Sequence, residues 1–128
     1  MSDRIHQEVN IDTTPERIYR ALTDGAAFTA FTSAEAEITG DAGGGISLFS
    51  GGITGRNIEL LPNQRIVQAW RAKNWPPGVY SIVKFELVAQ GAGTRVVLDQ
   101  TGFPEGDREH LDHGWHRMYW DPLKKYLP

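Results

Sequence analysis

The sequence predicts an α+β fold in which a curved antiparallel sheet wraps around a long C-terminal helix, with short helices after the first strand. Two observations predict it. From residue 35 to residue 101, apolar and polar side chains alternate between short turns rich in glycine and proline, as in half-buried strands. After residue 102 the apolar spacing changes to the helical period of about 3.6 residues. A long helix that follows a curved sheet can cover its concave face.

Length and composition indicate a single globular domain spanning residues 1–128. The formal net charge is -3, from 13 basic and 16 acidic residues, so a nucleic-acid partner is not expected because it would require a basic surface. Cysteine is absent, which excludes disulfides and thiolate zinc sites. No apolar run approaches the length of a membrane span, so we expect a cytoplasmic protein without a membrane partner.

The N-terminal elements follow from alternation and from helix-capping residues. Residues 4–12 alternate apolar and polar side chains and predict a first strand with one buried face. A helix start follows, in which either Thr14 caps the helix with Pro15 at its first position, or Thr13 and Glu16 form a capping box. Gly25 interrupts that helix, and residues 26–31 predict a second short one.

Six further strands are expected before the C-terminal helix. Their predicted ranges are residues 35–39, 46–50, 53–61, 65–73, 79–89 and 94–101. Short connections such as Gly51-Gly52 and Pro62-Asn63 join them. Such connections favour pairing between sequential neighbours, which predicts an antiparallel meander.

The C-terminal helix is predicted over residues 107–126. Its apolar face comprises Leu111, Trp115, Met118, Tyr119, Pro122 and Tyr126. A kink is expected at Pro122, which lacks a backbone donor and crowds the carbonyl group of Met118. Trp120 points away from this face on a regular helical wheel and is expected to pack elsewhere or at an interface.

An ordered set of short motifs resembles a known family. The motifs are Thr14-Pro15-Glu16-Arg17-Ile18-Tyr19, Gly51-Gly52-Ile53-Thr54-Gly55, Trp70-Arg71, Trp75-Pro76, Gly93-Thr94, Gly114-Trp115, Tyr119-Trp120 and Leu123-Lys124. Together they resemble the START-like (SRPBCC) superfamily, whose fold is called the helix grip. Within it, the chain is similar to the domain type named after the C-terminal domain of the activator of the 90-kDa heat-shock protein ATPase.

This resemblance covers nearly the whole chain and implies the helix-grip fold. Eukaryotic members join this domain to a second one that stimulates the chaperone, and we expect no such second domain within these 128 residues. Fold alone does not transfer function. One departure from the family pattern is Gln100, where relatives often carry histidine, so no role tied to that histidine is carried over.

His110, His113 and His116 form the most conspicuous polar group, spaced by three along the C-terminal helix. Imidazoles one turn apart can share a metal ion. On a helical wheel, however, the three point away from the apolar face. A solvated polar face is therefore the favoured interpretation, and no metal is expected. The Gly-rich stretches lack the residues of nucleotide-binding loops, and no catalytic group stands out, so no cofactor is predicted.

Aromatic residues suggest a ligand pocket between sheet and helix. Aromatic side chains supply apolar area, and Trp and Tyr add a donor that a dry core leaves unpaired. Trp70, Trp115 and Tyr119 are the preferred lining residues. The full set of candidate ligand-binding residues is Trp70, Trp115, Tyr119, Phe49, Phe85 and Phe31. Plain core packing is the competing interpretation for each of them.

Three functions remain open at this point. The leading hypothesis is a non-enzymatic domain that binds a small hydrophobic molecule. The second, which rests on the resemblance, is a chaperone-associated module in a stress response. The third is an enzyme of the polyketide cyclase or dehydratase kind that uses the same cavity. The sequence leaves the oligomeric state open, a homodimer included.

Overall fold

A computed structural model describes residues 4–127, within which seven strands form one antiparallel sheet. The elements are β1 (Arg4–Ile11), α1 (Pro15–Thr23), α2 (Gly25–Thr32), β2 (Glu37–Ile38), β3 (Gly45–Leu48), β4 (Ile53–Leu61), β5 (Arg65–Ala72), β6 (Ser81–Gln90), β7 (Gly93–Thr101), α3 (Arg108–Gly114), a π-helical segment (Trp115–Trp120) and α4 (Asp121–Tyr126). The strand order is β1-β7-β6-β5-β4-β3-β2. The predicted fold class is confirmed.

The N-terminal helices begin where the capping residues predict. The Thr14 hydroxyl accepts a hydrogen bond from the Arg17 backbone N–H (3.3 Å), and Pro15 occupies the first turn of α1. The Asp24 carboxylate accepts one from the Ala26 N–H (3.1 Å) and starts α2. These side chains satisfy backbone donors that a helix start leaves free.

The pairing of β4 with β5 contains an irregularity. The pairing register shifts between Asn57 and Glu59, as in a β-bulge. Nearby, a Cβ atom at Gly55 would overlap the carbonyl oxygen of Ala69 and lie 2.8 Å from the Cα of Trp70. Glycine therefore permits a closer approach of β4 and β5 than any other residue. Trp70, opposite Gly55, packs on Trp115 of the C-terminal helix, with ring centroids 5.7 Å apart.

The C-terminal helix, composed of α3, the π-helical segment and α4, runs from residue 108 to residue 126. Its irregularity is the π-helical segment, and not simply the kink expected at Pro122. The Asp121 N–H donates to the carbonyl of His116, five residues back. Each π turn accommodates an extra residue, so the side chains that follow are rotated relative to a regular α-helix.

That rotation makes part of the predicted apolar face wrong. Met118 and Tyr126, expected inside, are 38% and 47% exposed. Trp120, expected to point elsewhere, is fully buried, as is Leu123. Pro122 has no backbone donor, and the widened turns of Trp115–Trp120 lie just before it.

The core fills the space between the concave face of the sheet and the helices. Inward positions of β6 and β7 include Val83, Phe85, Val96 and Leu98, all of them buried. Their alternation with exposed or half-buried neighbours confirms the period of two. No helix in the described part of the chain is both long and apolar enough to cross a bilayer.

Candidate functional site

A cleft of about 240 Å³ lies between the C-terminal helix and strands β4 and β5. Its aromatic wall consists of Phe49, Trp70, Trp115 and Tyr119. The side chains of His110, Arg117 and Met118, all exposed, lie around its mouth. Ligand pockets typically measure about 300–1,000 Å³, so this cleft lies below that range and has room only for a ligand smaller than most.

Four of the six predicted ligand-binding residues line this cleft, and Phe31 and Phe85 do not. Phe85 packs behind Trp115, with ring centroids 5.7 Å apart in an edge-to-face arrangement. Phe31 packs against Tyr119 at 6.3 Å. These two phenylalanines support the aromatic wall from the core side. A binding role for the four lining residues stays a prediction.

A buried chain of hydrogen bonds fixes Trp115. Its indole Nε1–H donates to the Gln100 Oε1 (2.8 Å), and the Gln100 Nε2 donates to the Ser81 Oγ (3.0 Å). The Ser81 hydroxyl donates to the backbone carbonyl of Trp70 (2.9 Å). Gln100, singled out in the sequence as a departure from the family pattern, therefore links the helix to β5 through β6.

Two other polar atoms of the aromatic wall have no partner. Among the described residues, nothing hydrogen-bonds the Trp70 Nε1 or the Tyr119 hydroxyl. The two residues are only 3% and 4% exposed. Burial raises the pKa of the Tyr119 hydroxyl far above its ordinary value, so it is protonated at neutral pH. Leaving a buried polar group unpaired costs about 1–3 kcal/mol.

Gly114 contributes open space to the cleft. It does not serve a close approach of helix and sheet, since a Cβ atom there would meet nothing within 4 Å. Its backbone is ordinary helix, with φ -60° and ψ -37°. Glycine is thus required neither by backbone conformation nor by crowding at this position, and its missing side chain leaves the cleft open.

Phe49 reaches the cleft from an unusual turn between β3 and β4. Phe49 and Ser50 have φ angles of 52° and 56°, in the left-handed region that non-glycine residues rarely adopt. The Phe49 ring packs edge-to-face on Phe28 (5.4 Å) and on Tyr119 (5.8 Å). These aromatic contacts offset a backbone cost of about 1–3 kcal/mol per residue.

The residues at the mouth were not predicted. His110 was assigned to a solvated face together with His113 and His116, and all three are exposed. His110 also borders the cleft, beside Arg117. Within residues 4–127, no three His, Asp or Glu side chains are grouped as metal ligands would be. The absence of a metal remains a prediction.

Comparison with known proteins identifies relatives of the chain. Residues 12–128 match the family model described as activator of Hsp90 ATPase homolog 1-like protein. The chain is 31% identical over 113 residues to the human activator of 90 kDa heat shock protein ATPase homolog 1, covering 88% of this chain and 33% of that protein. It is 35% identical over 112 residues to the homolog from Dictyostelium discoideum, covering 87% and 29%. The chain thus spans about a third of the length of these curated relatives.

Solved structures share the fold. A Plasmodium falciparum protein described as an HSP90 activator has a TM-score of 0.88 and 28% identity, with 99% of this chain and 96% of that one covered. The Aha1 dimer from Colwellia psychrerythraea has a TM-score of 0.83 and 24% identity, with 98% and 96% covered. At that identity the second likeness concerns the fold alone.

Proposed function

The chain belongs to the family of activator of Hsp90 ATPase homolog 1-like proteins, and from that premise we propose that it binds a small hydrophobic molecule in the cleft. The observation that carries the proposal is the aromatic wall beside Gly114. At Gly114 the cleft is open, because no side chain fills it. A core built only for stability would fill such space, because packed interiors leave few voids.

The chemistry of the buried part of the cleft favours binding over cyclisation or dehydration. The buried titratable group in its wall is Tyr119, which stays protonated at neutral pH and therefore serves as a donor. Among the residues that the structure describes, no carboxylate lines the cleft, and the imidazole of His110 lies at the exposed mouth. A cyclase or dehydratase would require a base in contact with its substrate.

Titration with methylnaphthalene tests this proposal. Binding should change tryptophan fluorescence, since Trp70 and Trp115 line the cleft, and should raise Tm by linkage. Gly114→Leu should abolish both effects by filling the cleft. His113→Leu is the matched control, because it adds the same side chain to an exposed position of the same helix. Equal binding by wild type and Gly114→Leu would refute the assignment.

Family membership favours a second candidate, association with a chaperone. The curated relatives that the chain matches are named as activators of a 90-kDa heat-shock protein ATPase. We propose that this chain contacts the corresponding chaperone, and that it does so as a cytoplasmic protein in a stress response. Adding the chain to the purified chaperone of its source organism should change the ATPase rate. An unchanged rate together with no detectable complex would refute this candidate.

The same comparison suggests self-association. One structure of the same fold is described as a dimer. We propose a homodimer, to be tested by sedimentation equilibrium on the full chain. A single species at the monomer mass of 14.3 kDa at micromolar to millimolar concentration would refute it.

A further inference from the structure

The residues that line the cleft carry polar groups that are mostly hydrogen-bond donors. The Trp70 indole can only donate, and the protonated Tyr119 hydroxyl needs an acceptor for its hydrogen. At the mouth, Arg117 offers a permanently charged guanidinium group and His110 a second nitrogen group. The buried donors and the basic residues at the mouth belong to the same cleft. Together they determine which ligand can bind there.

We infer that the cleft takes a small aromatic molecule with an oxygen acceptor at its buried end and a carboxylate at its open end. This inference rests on the proposed function. The oxygen would pair with the Trp70 Nε1 and the Tyr119 hydroxyl, both of which lack partners among the described residues. The carboxylate would pair with Arg117, whose planar group matches carboxylate geometry.

Reaching the inner donors requires a small movement of the aromatic wall. Each of the two atoms has less than 1 Å² of exposed surface. Phe49, which packs on Tyr119, belongs to the turn with left-handed backbone angles. Packing around such a turn holds its backbone angles, so a ligand that reaches the Tyr119 hydroxyl has to displace part of the packing of Phe49 on Tyr119. The ligand's oxygen would then accept a hydrogen bond from donors that otherwise have no partner.

Four related probes separate the two ends of the ligand. Hydroxynaphthoate carries both the inner oxygen and the carboxylate, naphthol carries the oxygen alone, naphthoate the carboxylate alone, and methylnaphthalene neither. Isothermal calorimetry on the full chain should rank hydroxynaphthoate first and methylnaphthalene last. A difference of about ten-fold is expected for each matched polar group.

Two variants assign each preference to its residue. Tyr119→Phe should weaken hydroxynaphthoate and naphthol about five- to ten-fold and leave methylnaphthalene unchanged, since it keeps the ring. Arg117→Gln should weaken only the two carboxylates and reduce the salt dependence of their affinity. Lys124→Gln is the matched control, because it removes an exposed charge of the same helix outside the cleft.

The outcomes distinguish this inference from the proposal beneath it. If methylnaphthalene binds as tightly as hydroxynaphthoate, or if both variants keep the wild-type ranking, the cleft binds apolar molecules without the selectivity inferred here. If none of the four probes binds, both the inference and the proposed function are overturned. The expected ranking with both variant effects supports the two together.

Discussion

Replacing Gly114 by alanine should stabilise the protein. Gly114 has ordinary helical angles, and an added Cβ would meet nothing within 4 Å. The methyl group therefore creates no clash. Alanine is favoured over glycine in a helix by about 0.8–1.0 kcal/mol, chiefly because glycine loses more backbone freedom on folding. We expect Gly114→Ala to raise the free energy of unfolding by about 0.5–1 kcal/mol.

Urea denaturation followed by tryptophan fluorescence measures this change. The midpoint should rise while the m-value stays the same, and Tm should rise by about 2–5 °C for a chain of this size. Gly106→Ala is the control. That position is equally open, but its φ of +95° suits glycine alone, so the same substitution should destabilise the protein by about 1–2 kcal/mol.

A fall in stability for Gly114→Ala would refute this reasoning. It would show that the transition from α3 into the π-helical segment requires a glycine, and that the open cleft is a by-product of helix geometry. A rise in stability would mean that the protein is less stable with glycine at position 114 than with alanine. That result fits a residue kept for the space it leaves.

Further predictions concern polar groups of the core and surface. Tyr119→Phe should leave the free energy of unfolding unchanged or raise it by up to about 1 kcal/mol in thermal melts, because it removes an unpaired buried hydroxyl; a large loss would contradict the missing partner. Gln100→Leu should lower it by about 2–3 kcal/mol, since it strands the Trp115 indole. Hydrogen bonds to Asp99 and Glu8 raise the pKa of His6 above 6.5, so its contribution to stability is complete below that value and lost as pH rises through the raised pKa. The gap between wild type and His6→Gln in urea midpoints should therefore shrink as pH rises from 6.5 through the raised pKa; a constant gap would refute the linkage. Zinc titration by calorimetry should show no tight binding, and submicromolar binding lost in His113→Ala would overturn this expectation.

The sequence predicted the elements well because their signals are local. Strand β4 has the bounds expected from alternation and turns, and α1 begins at the Thr14-Pro15 pair. The pairing of β1 with β7 is long-range, and the sequence patterns did not predict it. Local patterns determine where strands lie, whereas the order of strands in a sheet depends on contacts across the whole chain.

The site was predicted only in part, because its details depend on tertiary packing. A regular helical wheel correctly placed Trp115 and Tyr119 on the inner face. It misplaced Met118 and Trp120 because spacing in a sequence does not reveal a π turn. Aromatic character alone predicted Phe85 as a ligand-binding residue as readily as Phe49. Which of them faces the cleft depends on the turn that carries Phe49. Two of its left-handed positions, Phe49 and Ser50, are not the glycine or asparagine that usually marks such angles.

The π-helical segment divides the C-terminal helix into two halves whose inward-facing side chains lie on different sides of the helix. Ahead of it, the side of the helix that carries Leu111 and Gly114 borders the cleft. Beyond it, the chain is turned by about one residue, or about 100°, so that Leu123 and Leu127 are buried as an anchor. This second half packs against α2, away from the cleft. The helix therefore borders the cleft at one end and joins the N-terminal helices at the other.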